Sequence, residues 1–102
     1  MTQITHWING ALDAKKPERS GDIYNPATGK VTGTVAFGNA ATVDSAVSAA
    51  TAAFAEWRHS SLTKRTQVLF AFRELVQQNK EKIAALITAE HGKVLSDAAG
   101  EV

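Results

Sequence analysis

The sequence predicts an α/β chain in which short antiparallel strands are followed by three to four helices, and three observations carry that expectation. Composition changes near Asn39, from a front part rich in β-branched residues and Gly to a back part rich in Ala, Leu, Glu and Lys. Lys30 to Phe37 alternates as a strand does. Val43, Ala46, Val47, Ala50, Ala53, Phe54 and Trp57 recur at helical spacing. Residues 1–38 are therefore read as strands and turns, and residues 42–102 as helices, within a single domain over residues 1–102.

The elements follow in order. Ile4 to Ile8 is an extended candidate closed by Asn9-Gly10, the dipeptide that best tolerates the positive φ angles of a two-residue hairpin. A polar loop then leads to Asp22-Ile23-Tyr24, a second short strand. Asn25-Pro26-Ala27-Thr28-Gly29 turns the chain, because Pro presets φ near −65°, Asn bonds its own backbone and Gly accepts φ > 0. In the strand from Lys30 to Phe37, Val31, Gly33, Val35 and Phe37 share one face, and Thr32, Thr34 and Ala36 the other.

Thr42 is placed as the N-cap of the first helix, with Asp44 in its first turn, where the helix dipole favours a negative charge. Ala46, Ala49, Ala50, Ala52 and Ala53 keep one side of this helix low, so another backbone can approach closely. Phe54 and Trp57 read as core, and Trp57→Ala is expected to cost about 3 to 5 kcal/mol if the ring is buried. A long second helix starts after Ser60 or Ser61, with Val68, Leu69, Phe72, Leu75 and Val76 as its apolar face. Glu81 to Glu90 forms a third, with Ile83, Leu86 and Ile87 inward, ending at Gly92 beside His91 and Lys93. Leu95 to Val102 carries Ser96-Asp97 as a start signal but no stop signal, and reads as a helix cut short.

With 102 residues the chain should bury only about 65% of its unfolded surface and draw further stability from neighbouring chain or subunits. It has no cysteine, which excludes disulfides, thiolate zinc sites and any thiol nucleophile from these residues. A net charge of +1, with basic residues scattered rather than gathered in a stripe, argues against a nucleic-acid partner. No apolar run approaches the roughly 18 residues of a spanning helix, and the first twenty residues lack the apolar stretch of a secretory leader. A cytoplasmic chain with no membrane partner is expected.

No constellation of reactive side chains emerges. His6, His59 and His91 share no spacing with one another and are read as surface imidazoles, His91 also as a favourable charge at a helix C-terminus. Gly29-Lys30 and Gly92-Lys93 lack both the earlier Gly and the following Ser or Thr of a phosphate loop. Gly33 and Gly38 do not make the paired-glycine dinucleotide fingerprint. Asp97 with Glu101, and Glu74 beside Arg73, read as solvated helix-face charges.

Several segments nevertheless form an ordered set. Trp7-Ile8-Asn9-Gly10, then Asn25-Pro26-Ala27-Thr28-Gly29, then Val43-Asp44 with Ala46-Val47, Ala49-Ala50, Ala53-Phe54 and Trp57, then Arg65, then Glu90-x-Gly92-Lys93, together resemble the amino-terminal region of the aldehyde dehydrogenase superfamily. The resemblance spans practically the whole chain. Tyr24, Phe70-x-Phe72-Arg73-x-Leu75, and Glu90-His91-Gly92-Lys93 followed by Asp97 and Gly100-Glu101-Val102 are most similar to the CoA-acylating methylmalonate-semialdehyde dehydrogenase group.

The resemblance implies an aldehyde dehydrogenase-like α/β fold, of which residues 1–102 would be the N-terminal part of the coenzyme-binding domain, its helices on one flank. It implies a parent enzyme that oxidises methylmalonate or malonate semialdehyde with NAD and coenzyme A, giving propionyl-CoA or acetyl-CoA and carbon dioxide, a step of valine catabolism. In such an enzyme a cysteine thiolate attacks the aldehyde, hydride passes to the nicotinamide, and coenzyme A cleaves the thioester. Those parts would lie downstream. No catalytic, cofactor-binding or metal-ligating residue is therefore assigned here, and neither NAD nor coenzyme A is expected to bind these residues alone. Expected partners are the remainder of its own chain and the subunits of a homo-oligomer, commonly a tetramer. The alternatives are another aldehyde dehydrogenase, such as one for succinate semialdehyde, and a non-catalytic structural or interaction module.

Overall fold

The computed structural model describes residues 2–102, which divide into two compact units. One comprises the chain up to Ile23 together with Val31–His59; the other comprises Tyr24–Lys30 and Ser60–Val102.

The first unit contains β1 (Thr2–Ile4), β2 (Trp7–Ile8), β3 (Ala11–Leu12), most of β4 (Arg19–Tyr24), β5 (Val31–Phe37) and α1 (Ala40–Trp57). The expected strand from Ile4 to Ile8 is split, with Thr5 and His6 outside both β1 and β2. Asn9 and Gly10 take φ of 54° and 77°, and the antiparallel hairpin sets Trp7 opposite Leu12 and Ile8 opposite Ala11. β3 falls within the stretch expected to be a polar loop. It is drawn into pairing by the turn, and the Asp13 N–H extends the ladder by donating to the His6 carbonyl at 2.8 Å.

The second sheet runs β1-β5-β4, and its β1–β5 pairing is parallel, which corrects the expectation of antiparallel strands throughout. Residues 5–30 separate the two strands, enough chain for the crossover that parallel pairing requires. Thr2 lies opposite Gly33, and a methyl group at Gly33 would meet the Thr2 carbonyl oxygen at 2.5 Å. As the central strand, β5 buries one residue toward each face, Gly33 and Ala36. Phe37 stays largely exposed; its ring covers Gly21 of β4 and stacks beneath the Arg19 guanidinium, 5.9 Å from the ring centroid.

The N-cap of α1 lies three residues before the expected one. Asn39, not Thr42, is the N-cap: Asn39 Oδ1 accepts from the Thr42 N–H at 3.0 Å, and Thr42 Oγ1 accepts from the Asn39 N–H at 3.3 Å. The amide oxygen is the acceptor placed for the free N–H groups, and Thr42 becomes its reciprocal partner at the third helical position. Asp44 consequently lies beyond the first turn, which carries no acidic residue.

In the second unit Asn25 organises the turn. Its side-chain oxygen accepts from the Ala27 N–H at 2.9 Å, its carbonyl from the Gly29 N–H at 2.8 Å, and its own N–H donates to the Lys30 carbonyl at 2.8 Å. Ser61 caps α2 (Leu62–Gln78) through the Lys64 N–H at 3.1 Å. Asn79 separates α2 from α3 (Lys80–His91) while its side chain donates to the Leu75 carbonyl at 2.8 Å. Gly92 ends α3 in the left-handed region, φ 86°, donating to the Thr88 carbonyl at 2.8 Å. α4 (Leu95–Glu101) packs on α3 and starts at the expected Leu95, after an uncapped Val94, with Asp97 in its first turn.

The apolar stripes of α1 and α2 form but are not covered. Phe54 is 56% exposed, Trp57 42% and Phe72 65%, and the buried apolar residues among those described are Ala36, Ala84 and Ala98. The chain exposes 8193 Å². Two separately compact bodies of half its 10.9 kDa mass would together expose only about 6,700 Å². The chain thus buries about half of its unfolded surface instead of about 65%. Trp57 and Phe54 are not core residues of these 102 residues.

Candidate functional site

His6 lies between β1 and β2 and His59 follows α1, both in the first unit, whereas His91 closes α3 in the second. Among the described residues no group of three or more His, Cys, Asp or Glu side chains could hold a metal ion. Gly29-Lys30 is the end of the Asn25 turn and Gly92-Lys93 the end of α3, so their glycines serve chain reversal rather than a phosphate cradle.

Two of the carboxylates weighed from the sequence, Glu74 and Glu101, have side-chain partners. Glu74 accepts from Gln78 Nε2 at 3.0 Å, one helical turn away. Glu101 pairs with Lys93 Nζ, whose side chain is mostly covered. The ammonium beside it holds the Glu101 carboxyl below its ordinary value, through the hydrogen bond first and the charge second. Sequence spacing could not find this pair: the two residues are eight apart, with the left-handed Gly92 beside Lys93 and the helix register restarting at α4.

A cleft of about 400 Å³ opens in the first unit, with His6, Asp13, Lys15, Glu18, Asn39 and Thr42 among its lining. Its carboxylates are already engaged. Asp13 Oδ1 accepts from the Lys15 N–H at 3.0 Å, and Glu18 Oε1 accepts from Asn39 Nδ2 at 3.0 Å. The same Asn39 caps α1, so the polar lining holds the helix start and its loop in place. A second, apolar groove of about 380 Å³ lies between the β2–β3 hairpin and Ala46, Ala49, Ala50 and Ala53 of α1. The alanines leave this side low, as their spacing predicted.

The model of the aldehyde dehydrogenase family matches residues 12–102. The chain belongs to the aldehyde dehydrogenase family. It is 44% identical over 102 residues to the malonate-semialdehyde dehydrogenase of Pseudomonas aeruginosa. It is 41% identical over 96 residues to the mitochondrial, acylating methylmalonate-semialdehyde/malonate-semialdehyde dehydrogenase of Rattus norvegicus. These alignments cover 100% and 94% of the chain but only 20% and 18% of the relatives, so it spans about a fifth of their length. Among solved structures, a protein from Sinorhizobium meliloti assigned as a methylmalonate-semialdehyde dehydrogenase, complexed with NAD, matches with a TM-score of 0.95 at 36% identity. That match covers 100% of this chain and 21% of the other.

Within the aldehyde dehydrogenase frame, two segments that carried the resemblance meet in space. The Asn25–Gly29 turn sets Pro26 against Gly92, between α3 and α4 of the same unit. The first of these segments is a turn and the second a left-handed helix end.

Proposed function

We propose that these 102 residues are the amino-terminal scaffold of an NAD-dependent, CoA-acylating methylmalonate- or malonate-semialdehyde dehydrogenase. The parent converts its semialdehyde to propionyl-CoA or acetyl-CoA with release of carbon dioxide. The observation that supports this most is the alignment along all 102 residues, at 44% identity, with a malonate-semialdehyde dehydrogenase. The residues themselves contribute strands and helices flanking the coenzyme-binding domain and no catalytic group, in keeping with a sequence that has no cysteine to attack an aldehyde. NAD and coenzyme A act in the parent and do not bind this portion alone. Its partners are the remainder of its chain and the subunits of a homo-oligomer, commonly a tetramer, in the cytoplasm.

The test is an assay of semialdehyde-dependent NADH formation with coenzyme A present, run on the 102-residue chain and on a chimera in which it replaces the aligned segment of the Pseudomonas aeruginosa enzyme. The chimera should form acyl-CoA and the chain alone should be silent. Turnover by the chain alone would overturn the scaffold role. Release of a free acid with no need for coenzyme A, by the protein in its longest natural form, would instead indicate another aldehyde dehydrogenase, such as one for succinate semialdehyde.

A further inference from the structure

We draw no further inference here: the strongest candidate, the apolar groove between the β2–β3 hairpin and the alanine side of α1, carries nothing because nothing in the structure shows what covers it.

Discussion

Pro26 and Gly92 are in contact range across the second unit: a methyl group at Gly92 would lie 3.1 Å from Pro26 Cγ and 3.4 Å from Cβ. Gly92 also holds φ of 86°, where an L-residue crowds its own carbonyl. Two independent reasons therefore require glycine there. Gly92→Ala should destabilise by about 1 to 2 kcal/mol from the backbone alone, and somewhat more from the contact. Denaturant unfolding checks this, and adding Pro26→Ala should recover only the contact part. Full recovery by Pro26→Ala would show that the backbone conformation is not what requires glycine.

A sharper contrast separates two other glycines. At Gly33 an added methyl meets the Thr2 carbonyl oxygen at 2.5 Å, which is main chain in a paired strand and cannot swing away. At Gly21 it meets Phe37 Cζ at 2.6 Å, the far end of a largely exposed side chain. Gly33→Ala should release β1 from β5, read as faster amide exchange in β5, while Gly21→Ala only displaces the ring. Equal protection of β5 in both variants would contradict this.

Asn39→Ala should cost about 1 kcal/mol, because it leaves the Thr42 N–H without its acceptor and removes the bond to Glu18. Thr42→Ala removes only the reciprocal arm and should cost less. Thermal unfolding of the two variants ranks them, and the opposite order would restore Thr42 as the dominant capping residue.

The Lys93–Glu101 pair should show in a pH titration. The Glu101 carboxyl is held below its ordinary value, so its contribution is complete at neutral pH. It is lost as pH falls below about 4.3 and through the lowered value. The side-chain carboxyl resonance of Glu101 should titrate below that of a free glutamate and return to the ordinary range in Lys93→Met. Added salt should weaken the shift, since the carboxylate is open to solvent. A midpoint unaffected by Lys93→Met would remove the pair from the account.

Exposed apolar faces make a prediction about the chain by itself. With Trp57, Phe54 and Phe72 uncovered, the 102-residue chain should self-associate and bind hydrophobic dyes, measured by sedimentation over a range of concentrations. Trp57→Ala should then cost less than the about 3 to 5 kcal/mol of a buried ring. A sharp, concentration-independent unfolding transition would count against both statements.

Local structure was legible wherever one residue's chemistry decides it. The Asn9-Gly10 hairpin, the Asn25 turn, the Ser61 cap and the end of α3 at Gly92 each follow from what Asn, Pro, Ser or Gly does to its own backbone. Reading failed where two acceptors competed three residues apart, as at Asn39 and Thr42, and where a partner came from elsewhere in the chain, as with β3, Glu101 and the parallel β1. The polar cleft was not legible, because its lining is gathered from loops, the β2–β3 hairpin, β5 and the start of α1.

The sequence by itself determined the family, the turns, the Ser61 cap and the absence of cysteine, since each is written in residue identity and short spacing. Only the tertiary structure decided which apolar stripes are covered. Periodicity marks a face as able to be buried, but burial needs a second surface against it, and for α1 and α2 that surface is not present among residues 2–102.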